Sequence, residues 1–245
     1  MDSSSYDQIA KSYLKTDSSL TKKYVATPTF MRLVGKTKDK RVIDFGCGSG
    51  YSTRLITNAI YLMGIDSSHE QIILARDIEK DKNQGIIYKQ LDISKDINMK
   101  FKAFDKATAF YLLHYASTKE ELYTYCKNIA RFLKSGGKLI VLNSNPEYPE
   151  QLNRKYGVVA TLENGLVEGT KRKVTYLINE RELCSFNTYF WSKKTYEEAL
   201  QKAGFRNIEW HIPLVSKEGV KIRGKEFWKE LLEEPFICGL TAIKS

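Results

Sequence analysis

The chain has 245 residues, 42% of them hydrophobic, and a formal charge of +10. That length fits one α/β domain, or a core domain with an inserted cap, and no apolar run approaches the roughly 20 residues that span a bilayer. The polar N-terminus does not resemble a secretory signal, so we expect a cytoplasmic protein. The charge suggests either a nucleic-acid surface or a lysine-rich exterior. Because no basic stripe is interleaved with aromatic residues, we favour the exterior.

Sulfur and imidazole side chains are widely separated along the chain. No C-x-x-C pair occurs, and the three histidines do not cluster. Zinc sites need such groupings, so we predict no metal site and a set of reduced thiols. The four cysteines are Cys47, Cys126, Cys184 and Cys238.

The first 40 residues predict a cap of helices. Residues 28–34 predict the second of these helices, with Pro28 at its start. The first helix is indicated by apolar residues that recur at helical spacing, Tyr6, Ile9, Ala10 and Tyr13.

From residue 41, short apolar strands alternate with amphipathic helices. This alternation predicts a parallel sheet with helices on both faces over residues 41–143. We expect the last helix of this region to end at Ser135-Gly136-Gly137. The predicted strands are 41–45, 60–65, 86–91, 105–111 and 137–143. The predicted helices are 51–58, 68–80 and 119–134.

Residues 144–192 interrupt the alternation and predict a β-rich insertion that caps the core. Turns at Asn145-Pro146 and Tyr148-Pro149 are followed by predicted strands at 173–178 and 183–191. The densest basic run of the chain, Lys171-Arg172-Lys173, lies here. Residues 193–245 then predict the rest of the core. Its elements are a helix at 193–203, a strand at 206–212, a helix at 224–233 and a strand at 236–243.

The strongest local motif is V-I-D-F-G-C-G-S-G at residues 42–50, a strand that runs into a glycine loop. Glycines allow a tight turn and close approach of the backbone to a ligand, but nicotinamide-binding folds share such loops. Two features favour a different ligand. Tyr51 stands where the third glycine of G-x-G-x-x-G would be. Asp44 suits the ammonium of an amino-acid ligand better than a pyrophosphate.

Acidic residues end the next two predicted strands. Asp66 suits ribose hydroxyls, or it belongs to the cap of the following helix together with Ser67 or Ser68. Asp92 suits an adenine amino group with Ile93 packed on the ring, or it forms a plain Asx turn. Strand ends of an open α/β sheet border the ligand crevice, so we expect these acids to converge there.

The fourth strand delivers aromatic residues to the same crevice. Phe110, Tyr111 and His114 follow its carboxyl end, and aromatic rings near a sulfonium gain cation–π attraction. For His114, packing in a helix or in the core is an alternative to catalysis.

Together these motifs resemble those of class I S-adenosylmethionine (SAM)-dependent methyltransferases over residues 41–143. The segment at 42–50 resembles their motif I. The next three motifs are resembled by Asp66, by L-D-I at 91–93 and by F-Y-L-L-H-Y-A at 110–116. The S-G-G-K-L at 135–139 resembles their turn before the fifth strand. Outside that range, Y-D-Q-I-A-K-S-Y at 6–13 is similar to small-molecule methyltransferases of the toxoflavin-biosynthesis type.

The resemblance implies a Rossmann-like seven-stranded sheet, mostly parallel, with its last strand antiparallel. It implies SAM as cofactor and S-adenosylhomocysteine as product. The implied cofactor residues are Tyr13, Asp44, Gly46, Cys47, Gly48, Tyr51, Asp66, Ser67, Gln71, Asp92, Ile93, Ala109 and Phe110. For the acceptor we predict a flat aromatic pocket of Tyr115, Tyr189 and Trp191, unless alternate members of 186–191 only fill the core. If the acceptor must lose a proton, the candidate bases are His114, Tyr6 and Tyr111.

We therefore predict N- or O-methylation of a small metabolite, such as a heteroaromatic compound. An RNA or protein methyltransferase, prompted by the charge, is one alternative. A catalytically silent SAM-binding regulator and a nicotinamide oxidoreductase are two others. The sequence does not indicate the acceptor or the oligomeric state.

Overall fold

The computed structural model describes residues 14–97 and 103–245. The predicted helix around Tyr6 and Tyr13 lies outside these residues. Within them, the chain forms a seven-stranded central sheet, a separate three-stranded sheet and seven α-helices.

The central sheet has the strand order β3-β2-β1-β4-β5-β10-β9. Strands β1 to β5 pair in parallel, whereas β10 is antiparallel to both of its neighbours. The predicted class I arrangement, with the last strand antiparallel, is thus confirmed. The strands are β1 Arg41–Phe45, β2 Tyr61–Asp66, β3 Ile87–Gln90, β4 Phe104–Phe110, β5 Leu133–Ser144, β9 Phe205–His211 and β10 Ile237–Lys244.

Helices begin where short polar side chains accept hydrogen bonds from free backbone N–H groups. Ser68, Thr118 and Ser192 each accept one from the residue three positions ahead. The helices are α1 Thr27–Val34, α2 Tyr51–Leu55, α3 His69–Lys82, α4 Lys119–Phe132, α5 Lys193–Lys202, α6 Lys217–Arg223 and α7 Lys225–Glu233. Helix α1 continues directly from a π-helical turn, Lys22–Ala26.

One predicted helix end was wrong. Helix α4 ends at Phe132, and β5 begins at the next residue, where Leu133 pairs with Phe104. Gly136, expected after the end of the helix, lies within β5 with a φ of +75°. The register of β5 against β4 shifts just there, so the glycines accommodate an irregularity in the sheet.

The insertion is a three-stranded antiparallel sheet with the order β6-β7-β8. Its strands are β6 Val158–Leu162, β7 Lys171–Ile178 and β8 Arg181–Tyr189. The sequence predicted β7 and β8 but missed β6, and it also missed helix α6. Buried residues of all three strands join the apolar core on one face of the central sheet, so the insertion is packed onto that face.

Two apolar clusters cover the two faces of the central sheet. In β1, Val42 belongs to one cluster, while Ile43 and Phe45 belong to the other. This alternation is what a strand covered on both faces requires. Within the described residues, no helix is both long and apolar enough to cross a membrane.

Candidate active site

The glycine loop connects β1 to α2. Gly46, Gly48 and Gly50 have φ values of +64°, +53° and +86°, which residues with a side chain rarely adopt. A Cβ on Gly46 would lie 2.8 Å from Leu112 Cδ1, and one on Gly50 would collide with the Tyr88 hydroxyl. The loop therefore has both the backbone shape and the crowding that require glycine.

Asp44 lies beneath this loop and not at its surface. Its exposed fraction is 0%, and its carboxylate accepts hydrogen bonds from Thr53 Oγ1 (2.6 Å), Ser52 Oγ (2.8 Å) and Thr108 Oγ1 (2.7 Å). Burial raises the pKa of Asp44 against the effect of these three bonds. The carboxylate is enclosed and bonded to side chains of β4 and α2, so it supports the loop from beneath, and its contact with a ligand ammonium stays a prediction.

Asp66 joins the loop to the start of α3. One carboxylate oxygen accepts the Gly48 N–H at 2.8 Å, and the other accepts the Ser68 N–H at 2.9 Å. The helix cap itself is Ser68, which accepts the Gln71 N–H. Asp66 thus orients both the loop and the helix, and it is only partly buried.

A crevice with an empty volume of about 290 Å³ lies beside the loop and the ends of β2 and β3. Five predicted cofactor residues line it, namely Gly46, Asp66, Ser67, Asp92 and Ile93. The other lining residues are Ile65, Leu91, Leu112 and Tyr125. The expected convergence of acidic strand ends is therefore present for Asp66 and Asp92.

Asp92 forms the Asx turn that the sequence left as an alternative. Its carboxylate accepts the backbone N–H and the hydroxyl of Ser94, and it pairs with Lys95 at 3.4 Å. Partial burial acts to raise the pKa of Asp92, but these partners outweigh it and the net shift is downward. The group is an anion at neutral pH, and it lines the crevice as well as holding the turn.

Gln71 carries an unsatisfied amide next to the glycine loop. Its Oε1 and Nε2 are buried and have no hydrogen-bond partner among the described residues. Oε1 lies 3.6 Å from where a Cβ of Gly48 would be. Buried amides are normally bonded, so this group suits a polar ligand that approaches the loop.

Tyr13 lies outside the described residues, and the other predicted cofactor residues are not among those that line the crevice. Cys47 is buried and donates its backbone N–H to Ile65 O. Ala109 is fully buried within β4. Tyr51 shares a hydrogen bond of 2.7 Å with Thr27 Oγ1, and its ring lies 6.2 Å from that of Phe110. Tyr51 thus connects the glycine loop to the N-terminal helices.

A second cavity, with an empty volume of about 360 Å³, lies between the end of β4 and the inserted sheet. Its lining is mainly aromatic and aliphatic, and consists of Tyr111, His114, Tyr115, Ser144, Val158, Arg172, Val174, Tyr176, Phe186, Phe236 and Ile237. Tyr111 has a φ of +62°, and such strain in a non-glycine residue often marks a functional site. Because Leu112 lines the first cavity and Tyr111 the second, the segment after β4 separates the two.

Three polar groups are linked within this apolar cavity. His114 Nδ1 lies 2.9 Å from Ser144 Oγ, which accepts a hydrogen bond of 3.0 Å from Arg172 Nη1. Arg172 Nε also donates to Pro149 O. Burial and the nearby Arg172 hold the pKa of His114 well below its usual value, so the imidazole is neutral at physiological pH.

Two of the three predicted acceptor residues lie outside this cavity. Trp191 packs in the core on the other face of the sheet and donates from Nε1 to Ala116 O at 2.8 Å. Tyr189 packs against the same core. Tyr115 does line the cavity, and on β8 the lining residue is Phe186. The alternative given by the sequence, that alternate members of 186–191 fill the core, describes Tyr189 and Trp191 in this structure.

A comparison with protein families decides the class of enzyme. A family described as "Methyltransferase domain" matches residues 36–204, which is more than half of the chain. The chain belongs to this methyltransferase family. It is a SAM-dependent methyltransferase, and SAM is its cofactor.

The chain is also similar to individual proteins and, in its fold, to a solved structure. The methyltransferase is 27% identical over 215 residues to an uncharacterised protein of Methanocaldococcus jannaschii, covering 83% of this chain and 75% of that one. It is 24% identical over 180 residues to N-demethylindolmycin N-methyltransferase of Streptomyces griseus, covering 70% and 72%. A SAM-dependent methyltransferase structure from Mesorhizobium loti has the same fold, with a TM-score of 0.64 and 20% identity over 93% of this chain and 99% of that one.

The described part of the methyltransferase fits SAM at the first cavity. Backbone and polar groups lie beside a pocket with apolar walls. They are provided by the glycine loop, the partly exposed Asp66 and the unpartnered amide of Gln71. Tyr125, which the sequence placed only on a helix, contributes to this wall and donates to Glu121 Oε1. No local motif marks it, because its spacing on α4 is that of any core residue.

Proposed function

We propose that this methyltransferase transfers the methyl group of SAM to a nitrogen or oxygen of a small, flat acceptor, as in the toxoflavin-biosynthesis type. The observation that carries the proposal is the aromatic cavity of about 360 Å³ beyond the Tyr111–Tyr115 segment. Its lining is mainly aromatic and aliphatic with a few polar groups, as is usual for small-molecule pockets. Rings such as those of Tyr115 and Phe186 offer flat apolar contacts, and few polar groups interrupt them.

In this proposal, each strand end holds one part of the cofactor. Gly46 and Gly48 present their backbone, Asp66 bonds the ribose, and Asp92 with Ile93 contacts the adenine. Gln71, on α3, offers its amide to a polar group of the cofactor. Phe110 and Tyr51 border the end of the cofactor that carries the methyl group. Bound SAM supplies an activated methyl group on a sulfonium. The protein then has to align the acceptor in line with that group, which is worth roughly 7–11 kcal/mol of barrier.

The residues described here favour alignment over a dedicated base. The Ser144 hydroxyl and N–H face His114 Nδ1, so this basic atom is engaged. For an oxygen nucleophile, the Tyr111 hydroxyl and Tyr6 stay as proposed proton acceptors. Tyr6 lies outside the described residues. A heteroaromatic nitrogen needs none, because it attacks through its lone pair. We also propose that residues 1–40 and 144–192 together form the cap over the acceptor.

The relatives support the small-molecule class. One is named as an N-methyltransferase of N-demethylindolmycin, and another, from Aspergillus nomiae, is named as an O-methyltransferase and matches 53% of this chain at 30% identity. Both chemistries therefore occur among the similar proteins. The net charge of +10 prompted an RNA acceptor as the alternative, but the mainly apolar lining of the cavity favours a small ligand.

The test is incubation of the purified protein with methyl-labelled SAM and a metabolite extract, followed by mass spectrometry. We expect label in one small molecule. A matched reaction with total RNA in place of the extract should incorporate none, and a salt-sensitive incorporation into RNA would reject the proposal. SAM binding by calorimetry without transfer to any acceptor would instead support the silent regulator.

A further inference from the structure

Arg172 is a buried cation that faces only neutral partners. Its exposed fraction is 4%, and it lines the second cavity. Its hydrogen bonds go to Pro149 O and Ser144 Oγ. In the described chain no carboxylate lies within ion-pair distance of the guanidinium. Five N–H groups in a planar fork are available on such a side chain, so donors remain for a ligand.

The charge of Arg172 persists despite its burial. Desolvation lowers the pKa of Arg172 to about 10, which still leaves the group charged at neutral pH. An unpaired charge in an apolar site is unfavourable, and buried charges in proteins are normally paired. The two neighbouring strand positions, Lys171 and Lys173, are exposed. Only the middle residue of the basic run therefore points to the inside.

His114 offers a second donor in the same cavity. Ser144 Oγ accepts from Arg172, so its own proton is free to go to His114 Nδ1, and the Ser144 N–H also points to that atom at 3.4 Å. The proton of the neutral imidazole is thereby assigned to Nε2. This Nε2 is buried and has no hydrogen-bond partner among the described residues.

We infer that the methyl acceptor carries a carboxylate, which Arg172 binds through its guanidinium fork with the His114 Nε2–H as an additional donor. Arg–carboxylate pairing is geometrically specific and strong in an apolar site. The rest of the acceptor is a flat ring that packs among Tyr115, Tyr176 and Phe186. This inference rests on the proposed function and adds the chemical class of the substrate.

The first test asks whether the labelled product carries a carboxyl group. After incubation of the protein with methyl-labelled SAM and a metabolite extract, the products are coupled to an amine with a carbodiimide and analysed by mass spectrometry. We expect the labelled product to gain the mass of one amide, whether it is an anion or, after methylation of a ring nitrogen, a zwitterion. A labelled product that does not couple would overturn the inference while leaving the proposed function intact. Label in no small molecule would overturn both.

The second test uses variants of Arg172. Arg172→Gln should reduce incorporation into the carboxyl-bearing product at least tenfold, and Arg172→Lys, which keeps the charge but not the fork, should give an intermediate loss. Arg32→Gln is the matched control, because Arg32 is exposed and donates to the carbonyl of Ile212 outside both cavities. It should behave as the wild type. Unchanged incorporation by folded Arg172→Gln would overturn the inference.

Calorimetry separates a role of Arg172 toward the acceptor from a role toward the cofactor. The SAM affinity should be the same, within about twofold, for the wild type, Arg172→Gln and Arg172→Lys. A loss of tenfold or more would assign the guanidinium to the carboxylate of SAM itself and reject our assignment.

With S-adenosylhomocysteine present, quinoline-2-carboxylate should raise the melting temperature of the wild type more than quinoline-2-carboxamide does. The difference should vanish in Arg172→Gln, and its persistence there would also contradict the inference.

Discussion

The two cavities of this methyltransferase are built in different ways. The crevice beside the glycine loop is lined by Gly46, by polar and apolar side chains at the ends of β2 and β3, and by Leu112 and Tyr125. The aromatic cavity is lined mainly by large side chains from the segment after β4, from β7 and β8, and from the start of β10. In our proposal the first cavity holds a constant cofactor by local geometry, whereas the second obtains its shape from tertiary packing.

The two cavities also differ in how far their polar groups are hydrogen-bonded. Among the residues that line the crevice, Asp66 bonds Gly48 and Ser68, and the nearby Gln71 amide lacks a partner among the described residues. In the aromatic cavity, polar groups keep unused capacity, as Arg172 and His114 do. Substitutions in the two regions should therefore separate cofactor binding, acceptor binding and stability from one another.

The largest expected effect is a loss of stability at Trp191, which the sequence predicted to lie in the acceptor pocket. Trp191→Ala should lower the free energy of unfolding by about 3–5 kcal/mol, because Trp191 is packed in the core and donates to Ala116 O. Trp191→Phe, which keeps most of the ring, should cost about 1 kcal/mol. Denaturant unfolding measures both. A folded Trp191→Phe protein with weakened acceptor binding would return this residue to the pocket.

Cofactor binding should respond most to Gly46→Ala. The added Cβ meets Leu112, and the φ of +64° is strained for alanine, so SAM affinity measured by calorimetry should fall at least about tenfold. Gly136→Ala is the control. Gly136 has a φ of +75° and open space around its Cβ position. It should lose about 1 kcal/mol of stability and bind SAM normally. Equal SAM affinity in both variants would contradict our view of the loop.

Acceptor binding should respond to Phe186 and not to its neighbour on the other face. Phe186→Leu removes ring contacts in the aromatic cavity, so KM for the acceptor should rise about fivefold, corresponding to roughly 1 kcal/mol. SAM affinity should be unchanged. Tyr189→Leu on the same strand should leave KM as it is, because Tyr189 packs against the opposite core. Steady-state kinetics with the acceptor identified by labelling tests the pair.

The smallest effect concerns pH. The pKa of His114 is well below its usual value in the folded protein, whereas an unfolded chain has a histidine pKa near 6.5. Below about pH 6.5 the unfolded chain therefore binds the additional proton, and stability falls as the pH falls. His114→Asn should reduce the loss of unfolding free energy between pH 7.5 and 5.5 by roughly 1 kcal/mol. An identical pH profile for both proteins, measured by urea unfolding, would contradict a buried neutral imidazole.

The sequence predicted the central sheet well because its signals are local. Asp44 and Asp66 mark the ends of β1 and β2, each two positions from a glycine. A strand that is covered on both faces is also mainly apolar along its length. The glycine crevice follows from the same signals. The predicted helix end at residues 135–137 was wrong because Gly136 serves a sheet irregularity, and glycine alone does not distinguish the two uses.

The aromatic cavity was harder to predict because it depends on strand parity. Whether Phe186 or Tyr189 faces the pocket is set by how β8 packs on the core, and a shift of one residue exchanges the faces. Arg172 was overlooked for a similar reason. It lies within a run of three basic residues, which predicts a solvated surface, yet the strand turns only its flanking lysines outward.

The position of β10 also affects how the molecule is assembled during synthesis. Strands β5 and β9 leave the ribosome before the strand that joins them, so each keeps an open edge until Ile237–Lys244 is available. Open edges are prone to pairing with other chains. Until β10 has paired with both strands, these two edges therefore remain open to pairing with another chain, and a truncation that removes β10 would keep them so.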